Sequence, residues 1–93
     1  MKVRAETAEA AVLELARADA LQKAGKFPKT ITMCTDFEAL AVLVEEVGEV
    51  AHEVNETIGQ YPKPDGYEER LETELIQVAA MAIGWAARIR GAR

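Results

Sequence analysis

The chain has 93 residues, of which 49% are hydrophobic and 5% aromatic, and its formal net charge is −5 at pH 7. This length predicts a single domain over residues 1–93, and an alanine-rich composition with few aromatic residues is typical of closely packed helices. The acidic balance argues against a broad basic surface for nucleic acids. The most apolar window, residues 75–87, is too short to span a membrane. With one cysteine, Cys34, and no secretory signal pattern, the sequence predicts a soluble cytoplasmic protein.

The first predicted helix runs from about Ala5 to Ala24 and stops at Gly25. Its apolar positions make it only weakly amphipathic. Residues 26–29 are predicted to form a connector, because Pro28 disfavours a helical conformation at the residue before it.

The second predicted helix begins with a capping box, in which Thr35 and Glu38 satisfy each other's backbone donors. It continues to about Ile58 and ends near Gly59. Its apolar residues follow an alternating four-three spacing, which places them on one face of a helix. This apolar stripe consists of Leu40, Val44, Val47, Ala51, Val54 and Ile58.

The acidic charge of the chain is concentrated in the same helix. Residues 36–56 hold seven acidic side chains and no lysine or arginine. Like charges one helical turn apart repel each other by about 0.3 kcal/mol per pair. Glu46 and Glu49 lie one turn apart on the same side, as shared binding of a cation requires. We expect a positive ion or partner to offset this repulsion.

The third predicted helix follows the breaker-rich loop at residues 61–66 and runs to about Arg90, before Gly91. Between residues 75 and 87 its only polar side chain is Gln77. A helix that is apolar nearly all round is buried on more than one side. Two neighbouring helices in so short a chain do not easily cover it, so we predict a homo-oligomer, either a dimer or a tetramer.

Glu74 lies within the apolar face of the third helix, between Met81 and Trp85 on a helical wheel. A buried carboxylate is costly unless it is paired, hydrogen-bonded or bound to a metal. One prediction is that Glu74 faces Glu46 and Glu49 across the helix pair, which would form an oxygen-rich site for Mg²⁺. The alternative is that Glu74 extends toward solvent, or that it pairs with Arg70 or with an arginine of another subunit.

Two short segments of the sequence resemble a known family. Residues 45–50 (EEVGEV), followed after a loop by residues 74–78 (ELIQV), are similar to the MazG-like branch of the all-α nucleoside triphosphate pyrophosphohydrolases. That family is marked by an ExxE motif on one helix and an ExxD motif on the next. The resemblance covers roughly residues 36–88, which is most of the predicted domain.

The resemblance implies an all-α bundle of three main helices, assembled as a dimer or tetramer. It also implies Mg²⁺-dependent cleavage, with Mn²⁺ as a substitute, of an NTP or dNTP to a nucleoside monophosphate and pyrophosphate. By position, Glu46, Glu49 and Glu74 are expected to be metal ligands, and Gln77 stands where the motif has aspartate. Glu45 is expected to orient or activate the attacking water.

The Gln77 departure leaves a second hypothesis open. An amide oxygen can bind Mg²⁺, but it brings no negative charge and cannot act as a base. The chain is therefore either a working pyrophosphohydrolase or an inactive helical oligomer that binds metal, nucleotide or another protein.

Overall fold

The computed structural model describes residues 3–23 and 35–92. These residues form three helices, α1 (Ala5–Lys23), α2 (Asp36–Glu56) and α3 (Tyr67–Ala92). The described residues contain no strand, so the predicted all-α fold class is confirmed. The predicted connector at 26–29, the stop at Gly25 and Cys34 lie outside the described residues.

The start of α2 is fixed by the predicted capping box. The backbone N–H of Glu38 donates to Thr35 Oγ1 at 3.1 Å, and the backbone N–H of Thr35 donates to Glu38 Oε1 at 3.0 Å. The helix ends at Glu56, slightly before the predicted Ile58. Thr57 is the C-cap, where the backbone leaves the helical conformation (φ −111°, ψ 10°), and its buried hydroxyl donates to two backbone carbonyls of the last turn.

The third helix is longer than the sequence predicts. It begins directly after Gly66, whose φ of +80° lets the chain turn, and it continues through Gly91 to Ala92. The predicted end before Gly91 is therefore wrong. Glycine lowers helix stability by only about 1 kcal/mol, and in the last turn few hydrogen bonds depend on it.

α3 is the central helix of the fold. It packs against both α1 and α2, whereas α1 and α2 do not pack against each other in the described residues. Ala39, Ala80 and Met81 are buried where the helices meet, since small side chains allow close approach. Where the first residue of α2 meets the C-terminal part of α3, Asp36 accepts a hydrogen bond from Trp85 Nε1 at 3.0 Å and pairs with Arg88. These contacts fix α2 and α3 antiparallel.

The apolar stripe of α2 is exposed. All six of its residues are solvent-accessible, with Val44 61% and Ile58 77% exposed. The side of α2 that faces α3 instead carries both apolar and acidic residues, with Ala39 and Leu43 on the same side as Glu46. Among residues 3–23 and 35–92, nothing covers the apolar stripe.

α3 also retains exposed apolar residues, although helices pack on two of its sides. Leu75 is 49% and Ile83 38% exposed. Within residues 3–23 and 35–92, no helix is both long enough and apolar enough to cross a membrane.

Candidate metal centre

Three glutamates from two helices converge where α2 packs against α3. Glu46 and Glu49 lie one turn apart on α2, and Glu74 lies opposite them on α3. One carboxylate oxygen from each lies within 4.8 Å of the other two. The antiparallel packing of α2 against α3 produces this meeting.

The cluster concentrates negative charge where the two helices meet. Glu46 and Glu74 are half-buried, while Glu49 is exposed. Among residues 3–23 and 35–92, no lysine, arginine or histidine forms an ion pair with any of these three carboxylates. The alternative pairing of Glu74 with an arginine of its own chain is therefore not found in the described part.

Mutual repulsion and burial change the acidity of the cluster. Burial, followed by the charges of Glu49, Glu74 and Glu45, raises the pKa of Glu46 to about 7. A hydrogen bond with Glu49, followed by burial and the nearby charges, raises the pKa of Glu74. Without a cation, burial and repulsion therefore favour the protonated forms of Glu46 and Glu74.

Gln77 joins the same cluster from one turn further along α3. With its amide nitrogen toward α2, it donates to Glu74 Oε2 at 2.9 Å and to Glu46 Oε2 at 3.3 Å. A rotation of the amide by half a turn places the oxygen at the same point. Gln77 can therefore serve as a donor to the carboxylates or as a neutral oxygen ligand beside them.

Glu45, the expected water-activating residue, is exposed at the edge of the cluster. Its carboxylate is not among the three oxygens that converge, although its charge contributes to the raised pKa of Glu46. It lies in contact with solvent, next to the converging oxygens.

The structure adds an ion pair that the sequence did not indicate. Arg70 Nε donates to Glu53 Oε1 at 2.6 Å, joining α3 to α2. The two residues line an open groove together with Glu69, Thr73 and Glu74.

The donor set suits a hard divalent cation. Oxygens bound to one Mg²⁺ at 2.0–2.1 Å lie about 3–4 Å apart, so small side-chain rotations would bring the three carboxylates into range. Carboxylate and amide oxygens are the ligands that Mg²⁺ and Mn²⁺ favour, whereas the cluster offers no thiolate or imidazole.

The raised pKa of Glu46 predicts a pH-dependent stability in the absence of metal. The folded protein binds more protons than the unfolded chain between pH 4.5 and about 7, so stability falls as pH rises through that window. After allowance for solvent screening, the loss is about 1 kcal/mol. Thermal melts in EDTA at pH 5 and pH 7.5 should show this decrease, and Glu46→Gln should reduce it. A decrease of the same size in the variant would contradict the assignment.

Comparison with protein-family models, with curated proteins and with solved structures finds no match to this chain. The proposals below therefore depend on the residues and geometry described above and on the motif resemblance.

Proposed function

We propose that the protein is a MazG-like, Mg²⁺-dependent nucleoside triphosphate pyrophosphohydrolase of the cytoplasm. The observation that carries this proposal is the convergence of Glu46, Glu49 and Glu74 within 4.8 Å, with no cation of the described residues paired to them. Three carboxylates in this arrangement repel one another unless they hold protons or a metal ion. The motif resemblance supports the choice of substrate.

Each side chain of the cluster has a role in the proposal. The three carboxylates bind Mg²⁺, or Mn²⁺ in its place, and Gln77 supplies its amide oxygen. A bound Mg²⁺ would neutralise the negative charge that develops on the phosphate groups. Glu45 orients the attacking water and accepts its proton, for which its exposed position next to the site is suitable.

The proposed reaction breaks the bond between the α-phosphorus and the oxygen that bridges it to the β-phosphate. Water adds to the α-phosphorus, pyrophosphate leaves with the bridging oxygen, and the nucleoside monophosphate remains. In this proposal the three carboxylates hold the metal that neutralises the polyphosphate, and Glu45 positions the water. This division agrees with phosphoryl-transfer chemistry in general, where positioning and electrostatics supply most of the catalysis.

The proposal includes assembly into a homodimer or tetramer. The six exposed residues of the α2 apolar stripe support this part, as do Leu75 and Ile83 on α3. Contiguous apolar surfaces of this kind mark interaction sites in soluble proteins.

A second candidate function is a non-catalytic module that binds metal or nucleotide. Gln77 favours it, because its amide can donate to Glu74 and Glu46 and so satisfy these carboxyl groups in the absence of a metal. Under this hypothesis the protein binds Mg²⁺ or Mg²⁺–nucleotide but releases no pyrophosphate.

One experiment separates the two candidates. Purified protein is incubated with each common NTP and dNTP in the presence of Mg²⁺ or Mn²⁺, and pyrophosphate release is measured beside calorimetric binding of the same nucleotides. We expect metal-dependent release with at least one nucleotide. Binding without release supports the module. Neither binding nor release, together with a melting temperature that Mg²⁺ leaves unchanged, rejects both.

A further inference from the structure

The guanidinium of Arg70 lies at one end of the carboxylate cluster, in the first turn of α3 and one turn before Glu74. Its Nε donates to Glu53 Oε1 at 2.6 Å, and its Nη1 donates to the backbone carbonyl of Asp65 at 3.2 Å. Arg70 is thereby attached both to α2 and to the turn that precedes α3. The side chain borders the groove that Glu74 also lines.

This position of the guanidinium depends on Gly66. A Cβ at that residue would lie 2.9 Å from Arg70 Nη1, and its φ of +80° already disfavours other residues. The guanidinium can therefore lie directly over the turn. It is held from two directions before any ligand arrives, which lowers the entropy that binding would cost.

Most of the hydrogen-bonding capacity of Arg70 remains available. Arginine has five N–H donors, and the contacts to Glu53 and Asp65 use the Nε and one Nη1 hydrogen. The other donors have no acceptor among residues 3–23 and 35–92, and the side chain is 50% exposed. An ion pair this exposed adds little to folding stability.

Arg70 carries a positive charge in a groove whose other charged residues are acidic. Its other charged lining residues are Glu53, Glu69 and Glu74, and Arg70 is the one cation on its described wall. A magnesium nucleoside triphosphate is still an anion, which these carboxylates repel wherever the metal does not intervene. The planar guanidinium is well suited to bind two phosphate oxygens at once.

We propose that Arg70 is a phosphate-binding residue, which holds the polyphosphate of the nucleotide whose metal is bound by Glu46, Glu49 and Glu74. The proposal rests on the proposed function, and it deepens it by assigning the group that contacts the substrate beyond the metal. Glu53 acts through Arg70 by holding the guanidinium at the groove.

The test measures the affinity for nucleotide and the affinity for metal alone, because loss of a phosphate-binding residue should weaken only the first. In Arg70→Ala, we expect the KM for the preferred nucleotide, or its Kd as a non-hydrolysable Mg²⁺ complex, to rise about tenfold or more. The affinity for Mn²⁺ alone should stay the same or rise slightly, because a positive charge near the carboxylates has been removed. Arg70→Lys should recover part of the nucleotide affinity, since it keeps the charge but loses the planar donor pair.

Two further variants serve as controls. Arg17→Ala removes an arginine from an ion pair with Glu14 on α1, outside the groove, and should behave as wild type. Glu53→Gln breaks the ion pair but keeps Arg70, so its nucleotide affinity should fall much less than that of Arg70→Ala. Equal losses in both variants, or a parallel loss of Mn²⁺ affinity, would indicate a structural role and overturn the proposal.

Failure of this proposal can be told apart from failure of the proposed function. A wild-type protein that binds nucleotide normally while Arg70→Ala binds it equally well overturns the role of Arg70 alone. A wild-type protein that binds neither Mn²⁺ nor nucleotide removes the proposed function, and this role with it.

Discussion

Replacing Glu49 with glutamine is expected to lower the affinity for Mg²⁺ or Mn²⁺ at least tenfold, about 1.4 kcal/mol, and to reduce pyrophosphate release about a hundredfold or more. The variant keeps the shape of the side chain but removes one of the three charges that converge within 4.8 Å. It also removes the group whose hydrogen bond raises the pKa of Glu74. Calorimetry with Mn²⁺ and a pyrophosphate assay measure the two effects.

Adding a negative charge to the cluster tests the same metal site in the opposite direction. Gln77→Asp adds a fourth carboxylate at a position within hydrogen-bonding distance of Glu74 and Glu46, so it should raise the metal affinity and lower the stability of the metal-free protein. Glu72→Gln is the matched control for Glu49→Gln, because it removes the same charge from an exposed position of α3 outside the cluster.

The order of metal affinities decides the outcome. Binding at the cluster predicts that Gln77→Asp binds most tightly, that wild type and Glu72→Gln are equal, and that Glu49→Gln binds most weakly. If Glu72→Gln and Glu49→Gln weaken binding equally, cations respond only to the overall acidity of the chain, and a defined metal site is contradicted.

The metal-free state of Glu49→Gln should also be more stable than wild type at pH 7.5. After burial, the charge of Glu49 is the largest cause of the raised pKa of Glu46. Its removal lowers the repulsion within the cluster, so loss of metal binding would accompany a gain in stability. A variant that binds its ligand more weakly but unfolds less easily is expected where a binding site holds like charges close together.

Much of the fold could be predicted because its signals are local. The capping box at Thr35 fixed one helix boundary, since it depends on residues within a single turn. The position of Glu74 between Met81 and Trp85 on the wheel was informative for the same reason. An apolar face with one carboxylate in it predicts that the carboxylate turns inward, and the structure places Glu74 against α2.

The side of α2 that faces α3 could not be predicted from periodicity. The stripe at Val44 and Val47 is the most regular apolar feature of this helix, and a helical wheel favours it as the buried face. In the structure this stripe is exposed, and a face with Ala39, Glu46 and Glu53 packs against α3 instead. Periodicity identifies an apolar surface, but it does not tell whether the surface meets the same chain or another one.

The Arg70–Glu53 pair was missed for a related reason. Its two residues are on different helices, so their meeting depends on the register of α2 against α3. The same register places Asp36 in contact with Trp85 and Arg88 near the other end of the helix pair. A shift by one turn, about 5.4 Å, would have separated Arg70 from Glu53 without changing any local sequence signal.

The exposed stripe leads to the second large expected effect, on assembly. In the proposed homo-oligomer, Val47→Asp is expected to cause dissociation to a monomer at micromolar concentrations, with the dissociation constant raised about a hundredfold or more. Val47 is 49% exposed and lies near the middle of α2. A carboxylate there would be buried at the contact between copies, and a cost of about 3 kcal/mol over the two copies of a symmetric dimer corresponds to this change.

We argue for a second copy of the chain as the partner because the single chain buries so little. Among the described residues, the buried apolar side chains are Ala11, Ala39, Ala80 and Met81, which is a small core for helices of this length. Within α2 the stripe runs from Leu40 to Val54, about 21 Å at the rise of a helix. Packing two such stripes together would give each chain the apolar burial that it lacks.

Analytical ultracentrifugation of wild type and variant from 1 to 100 µM measures the assembly, and circular dichroism shows whether the variant remains helical. Leu13→Asp is the matched control, because Leu13 is an apolar residue of α1 with 64% of its surface exposed and lies outside the stripe. It should leave the oligomer unchanged. A helical, monomeric wild type at 100 µM would contradict assembly through this surface, and so would an oligomer that Val47→Asp leaves intact. Pyrophosphate release by a helical Val47→Asp monomer would further show that the carboxylates of one chain, with Arg70, suffice for the reaction.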